Sequence, residues 1–596
     1  MASSAAALLA AGLAAVAAGR LLVSSRRGID FTDEGMYILA ATADSPATAF
    51  NNAFGRYTGL LYDVTGGDLV RFRQLGILVL VGVGAMLGDR VAVCGARLVD
   101  IPISWQLRVA AGAAVAAGAI HYYLLHLLTP SYNWLNLVGM GIGLSGILGM
   151  VTLSADGSRL ERWWSPAVFA IGIQVAAMGK ITSGPALVII AVVVLGVART
   201  EPGIGRFVVM RTAAGAGVAS ALLHAVFINP WSVTADQVRR GASMLRKLDP
   251  DYSTHQQIDT IKDGIEIIVR EAPGRFGLVL APVLVIAILA RFRPVPPILV
   301  AGARAVAVAG TGAVLFAQGL WLGGTAGYSV LTWVGIAFVL TTAFLAAVRA
   351  DSHRREGVGK GMLVALMLMA CAGAYSIGSN NGFFRQLNGG TLFLIAGAAM
   401  ILTVSRPFKT DPALLVLSVV VGLGANSLVS DSFNQPYRQP PLAQQTVAVE
   451  LGGGTVHLDT ETASFIDRLR GSALANGWVA GTPLLDMSPY AATTLVILEA
   501  EPPITILPSV GGHQGQQALG VSNFDDLVAS ELVERFHDAW VQTMTGGGGG
   551  EENLDTALLE RVGRSFPIDY ELVGEFELVS RGQTLALWRP IDTAIG

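Results

Sequence analysis

The sequence predicts a polytopic α-helical membrane protein that carries a C-terminal soluble α/β domain, and three observations predict it. Of 596 residues, 52% are hydrophobic and only 14% charged, with a mean hydropathy of +0.56, a balance foreign to a string of soluble domains. About thirteen stretches approach the roughly 20 apolar residues that a helix needs to cross a bilayer core. Beyond residue 429 these stretches stop, and short β-like runs alternate with amphipathic ones. The net charge of −3 and the dispersed Lys and Arg argue against a nucleic-acid partner. Two cysteines, Cys94 and Cys371, build neither a disulfide scaffold nor a zinc site. The 71 glycines follow no collagen-like period and suit close helix packing in lipid.

In chain order the expected spans are about 5–24, 73–93, 107–128, 134–153, 164–182, 184–199, 207–228, 276–291, 296–320, 327–348, 358–378, 391–404 and 411–429. The first lacks a basic leader, MASSAAALLA being uncharged, and reads as a retained helix. Alternate loops carry Arg90 and Arg97, Arg159 and Arg162, Arg199 and Arg206, Arg291 and Arg293, Arg349 to Lys360, and Arg406 with Lys409. The opposite short loops hold little beyond Lys180 and Arg385. By the positive-inside rule the N-terminus lies inside and everything after the last span outside a cytoplasmic membrane. Arg20, Arg26 and Arg27 break that rule. Residues 1–429 thus form the membrane domain, with long outer loops at about 25–72 and 229–275. The second of these starts at Asn229-Pro-Trp231 and bears Arg239, Arg240, Arg246 and Lys247 on an amphipathic helix suited to anionic headgroups.

Residues 430–445 are Pro/Gln-rich and read as an extended linker. The outer domain, 446–596, is expected to hold strands at 446–451, 455–458 and 493–498 and helices at 463–474, 524–541 and 554–562. A closing hairpin is expected from 570–578 and 584–588, turned at Arg581-Gly582.

The first outer loop opens Arg26-Arg27-Gly-Ile-Asp30-Phe-Thr-Asp33-Glu34-Gly-Met-Tyr37. Carboxylates just beyond a span are costly unless used; one can deprotonate a hydroxyl, and arginines can grip a phosphate. The structural alternative is that Thr32 or Asp33 caps a helix starting there. Asp33-Glu34-x-x-Tyr37, with the layout of spans and tail, resembles the GT-C superfamily of membrane glycosyltransferases, which includes protein O-mannosyltransferases and aminoarabinose transferases. The resemblance implies a sugar on a polyprenyl-phosphate donor, a glycan, lipid or protein acceptor, Asp33 as catalytic base and Glu34 in support.

Further candidates face the same side. Arg26 and Arg27 would neutralise the donor phosphate. Tyr132 and Asn133, within Thr129-Pro-Ser-Tyr-Asn-Trp134, could stack and hydrogen-bond a sugar, or form an ordinary interfacial belt. Asn380, Asn381 and Arg385 lie in a loop too polar for a simple turn. The run Gly511 to Gln517 reads as an ordinary loop. His121 and His126 have no companions at metal spacing, so the sequence supports no metal site, although some relatives use a divalent ion. No cofactor is expected beyond the lipid-linked donor, and the partners are membrane lipids and the acceptor. A polysaccharide polymerase or ligase would lean on arginine and histidine in late loops. A transporter would need acids at mid-membrane and matched broken helices, and a non-catalytic assembly protein would need neither.

Overall fold

The computed structural model describes chiefly residues 2–248, 352–404 and 440–591, without 43–53, 154–158, 199–205, 378–385, 502–536, 547–558 and a few single positions. The spans expected at 276–291, 296–320, 327–348 and 411–429 lie outside the described residues, as do the run 511–517, most of the helices expected at 524–541 and 554–562, and most of the linker.

The membrane part is a bundle of long apolar helices: α1 (Ala2–Ser24), α4 (Leu69–Leu98), α5 (Trp105–Ile120), α6 (Tyr132–Val151), α7 (Arg159–Gly179), α8 (Ser183–Ala198), α9 (Arg206–Phe227), α11 (Ser352–Ser376) and α12 (Thr391–Val404). Between α1 and α4 lie the short α2 (Asp33–Thr42) and α3 (Phe54–Val64), and the amphipathic α10 (Trp231–Leu248) follows α9. Among the described residues five helices are long and apolar enough to cross a membrane. On α9, one of the five, Leu222, Leu223 and Val226 are exposed, as are Val188, Ile189 and Val192 on the shorter apolar α8, which suits lipid and would be a liability in water.

Side chains set the helix starts. Asp68 accepts a hydrogen bond from the Arg71 amide at 3.0 Å and starts α4 four residues before the expected 73. Ser104 and Ser131 cap α5 and α6 in the same way, accepting from Leu107 and Trp134. The third span ends at Ile120, not 128: a 3-10 turn, His121–Leu124, follows. There the Tyr122 hydroxyl pairs with Ser131 Oγ at 3.0 Å while its ring stacks on His126 at 4.4 Å. Those polar tips hold the chain in a turn that a continuing helix would break.

Glycine lets α6 and α7 meet backbone to backbone. A Cβ on Gly172 would lie 2.2 Å from Gly143 N, and one on Gly139 2.2 Å from Ala176 N, so no larger residue fits this crossing. A polar chain binds α3 to the bundle: Gln174 Nε2 of α7 donates to the Tyr57 hydroxyl at 2.7 Å, and that hydroxyl meets His224 Nδ1 of α9 at 2.9 Å. The other ring nitrogen, His224 Nε2, meets the Thr234 hydroxyl of α10 at 2.9 Å, so the chain of polar contacts runs from α7 through α3 and α9 to α10 in either imidazole tautomer.

The C-terminal region holds an antiparallel hairpin, β1 (Val447–Leu451) and β2 (Gly454–Leu458), and a four-stranded sheet. The latter joins β3 (Leu484–Asp486), β4 (Trp540–Gly546), β6 (Gln583–Pro590) and β5 (Tyr570–Leu578) in that order, with β3 parallel to β4 and the other pairs antiparallel. Helix α13 (Thr460–Ala475) starts at Asp459, whose carboxylate accepts from two amides. Both residues of the β1–β2 turn, Gly452 and Gly453, have positive φ, the tight hairpin loop that glycine permits. The strand expected at 493–498 is instead mostly the short helix α14 (Ala492–Ile497). All six are buried, and a short apolar run without alternation takes its form from what it packs against. At the far end of the expected helix 524–541, residues 540–541 are strand.

Candidate functional site

The Asp33 turn sits where α1, α4, α6 and the C-terminal region converge. The Asp30 carboxylate accepts the Asp33 amide at 2.8 Å, and Thr32, one of the two expected caps, lies outside the described residues. Glu34 points inward and is 2% exposed. Arg73 Nε and Nη2 donate to its Oε1 at 2.9 and 2.7 Å, the Thr129 hydroxyl donates to the same oxygen, and the Asp30 amide donates to Oε2 at 3.0 Å. Arg73, also 2% exposed, gives its remaining hydrogens to the carbonyls of Ser25 at 2.8 Å and Gly28 at 3.0 Å. A buried ion pair endures only when both partners are this fully hydrogen-bonded. Of the two candidate carboxylates, Glu34 therefore anchors the turn, while Asp33 stands half-buried at its surface.

Tyr37 lies one helical turn beyond Asp33. Its ring meets Phe54 and Tyr132 edge-on at 6.1 and 6.2 Å, and Phe54 and Tyr132 meet at 6.0 Å. Tyr132 opens α6, where Asn133 and Asn136 are 2% and 0% exposed. Among the described residues, Asn133 Oδ1 and both polar atoms of the Asn136 amide have no hydrogen-bond partner, nor does Ser183 Oγ on α8. The backbone of α6 here touches Gly179, where a Cβ would lie 2.5 Å from Asn136 N. The next residue, Lys180, is buried. Its Nζ donates to the Tyr375 carbonyl at 3.0 Å and lies 4.9 Å from that ring's centre. Among the described residues it makes no ion pair. The α11 C-terminal end, which holds Tyr375, turns about half a negative charge toward this amine.

The arginines expected on the donor lie differently from one another. Arg27 Nη1 donates to the Leu442 carbonyl at 2.7 Å, while Arg26 is exposed and its carbonyl accepts from the His457 amide at 2.8 Å. Asn380, Asn381 and Arg385 lie outside the described residues. Among the described residues no three His, Cys, Asp or Glu converge as a metal site; His126 Nε2 instead meets the Tyr375 hydroxyl at 3.4 Å. In the sequence alone Arg73 carries no signal beyond opening an expected span, and Lys180 shows only as one of the few cations on the charge-poor side.

No protein-family model matches the chain, and no curated protein matches it. Among solved structures it is similar to ArnT from Cupriavidus metallidurans bound to undecaprenyl phosphate, at a TM-score of 0.37 and 13% identity, over 96% of this chain and 97% of that one.

Proposed function

We propose that this chain is a membrane glycosyltransferase of the GT-C type, moving a sugar from a polyprenyl-phosphate donor to an acceptor hydroxyl on the outer face of the cytoplasmic membrane. The observation that supports the reading is the placement of the Asp33-Glu34 pair at the start of α2, where Arg73, Thr129 and the Asp30 amide hold Glu34 buried and Asp33 stands half-buried at the surface of the turn. Asp33 takes the proton of the acceptor hydroxyl, whose oxygen attacks the anomeric carbon as the bond to the phosphate oxygen breaks. The leaving polyprenyl phosphate carries the negative charge away. Lys180, with the amides of Asn133 and Asn136, supplies the cation and donors that such a charge requires, and Arg26 and Arg27 stand at the rim as contacts for headgroup or donor. The aromatic group Tyr37, Phe54 and Tyr132 offers faces to a sugar ring.

The test is sugar transfer from a polyprenyl-phosphate donor by the purified full-length protein. Asp33→Asn keeps shape and hydrogen bonding but cannot accept the proton, so turnover falls by about 10²-fold or more with the thermal midpoint unchanged. Full activity in that variant would sink the assignment.

A further inference from the structure

Asp33 lies more than 400 residues from the C-terminal sheet, yet that region bonds directly to the backbone of its turn. We infer that the C-terminal α/β region is a working part of the site, with Thr493 as the positioning residue that holds Asp33 in place; this rests on the reading of Asp33 above. The Thr493 hydroxyl donates to the Asp30 carbonyl at 2.5 Å and accepts from the Gly35 amide at 2.9 Å. One side-chain atom thus ties the backbone on both sides of Asp33. The Thr493 amide adds a bond to the Phe31 carbonyl at 3.2 Å. Thr493 is fully buried, and a Cβ on Gly35 would lie 2.3 Å from its nitrogen, so the two segments are in backbone contact.

The surroundings make this clasp rigid. Ile29, Phe31 and Ile38 share one apolar cluster with Leu458, Phe465, Ile466 and Leu495, and the Phe31 and Phe465 rings meet edge-on at 5.5 Å. Behind the turn, Gly28 N donates to the His457 carbonyl at 3.0 Å, so the chain leaving α1 runs beside β2 as an added strand segment. A glycan-binding appendage would need none of this. Bonds aimed at residues 30, 31 and 35 are what a device for aiming residue 33 needs, because small misplacement of a reacting group costs orders of magnitude in rate.

The experiment compares Thr493→Val, Thr493→Ser and Asp33→Asn in the full-length protein, reading transfer kinetics and hydrogen exchange of the segment 28–37. Thr493→Val keeps the volume and loses the clasp: kcat falls about 10- to 100-fold, KM for the donor stays within about twofold, and exchange at Gly35 quickens. Thr493→Ser retains the hydroxyl and restores both. Asp33→Asn loses transfer with exchange unchanged, which separates aiming from chemistry. Wild-type kcat and protection in Thr493→Val would overturn the inference, as would a Ser variant that behaves like Val. Absence of transfer by the wild-type protein would fail the glycosyltransferase reading instead, and the exchange data would still decide whether Thr493 holds the turn.

Discussion

Glu34 shows how one buried carboxylate can hold the backbone of a turn. Its value depends on Arg73, so Arg73→Met leaves a buried charge uncompensated and costs about 3–5 kcal/mol, seen as a lowered thermal midpoint in detergent. Arg73→Lys fails to rescue it, since an ammonium cannot span Glu34 and two backbone carbonyls at once. Asp486 in β3 behaves oppositely. Burial raises its carboxyl above the ordinary range despite bonds from Gln542 and Ser488, so the folded form prefers it protonated. Its contribution to stability is therefore full below the unfolded carboxylate pKa of about 3.9 and is lost as pH rises through the raised value. Asp486→Asn flattens that stretch of the pH–stability curve and leaves the protein no less stable at neutral pH; an unchanged curve would refute this. The residue-level reading of the sequence reached Asp33, Glu34 and Tyr37 because they are adjacent and outside a span. It could not distinguish their roles, because Arg73 and Thr129, which decide them, are 39 and 95 positions from Glu34.

At the scale of elements, hydropathy located the helices and polar side chains corrected their ends. The expected 391–404 matches α12, whereas α4 begins earlier through the Asp68 cap and α5 ends earlier at a tyrosine-rich turn. The hairpins were legible from alternation and glycine. Helix α14 was not, since its β-branched apolar run reads equally well as a strand until its burial against the Asp33 turn is known. The α6–α7 crossing yields a paired prediction. Gly172→Leu forces those backbones apart and destabilises by at least about 1–3 kcal/mol. Gly196→Ala on α8, where nothing lies within 4 Å, stabilises by up to about 1 kcal/mol. Thermal midpoints of the two variants shifting in the same direction would contradict the packing account.

Among the described residues, contacts link the first long loop to the C-terminal region and, through His224, to α10. Cysteine introduced at exposed Asp63 or Glu461 should react with a membrane-impermeant thiol reagent from the same side, the outer one, and cysteine at exposed Asp100 only after permeabilisation; the native Cys94 and Cys371 are buried and stay silent. Labelling of Asp63 and Asp100 from one side would overturn the topology. The bundle and tail could be foreseen from composition because lipid imposes apolar length on any helix that crosses it. Their union could not, because the Thr493 clasp joins residues 458 positions apart and leaves no local signature. That separation also has a meaning in time. The Glu34–Arg73 pair can close as soon as α4 emerges, but Thr493 is made roughly half a minute to a minute and a half after Gly35 at ordinary rates of synthesis. A nascent chain therefore inserts its helices with the Asp33 turn still unfastened, and any chain cut short before residue 493 enters the membrane intact yet disarmed. The clasp can close only after 493 of the 596 residues have been made.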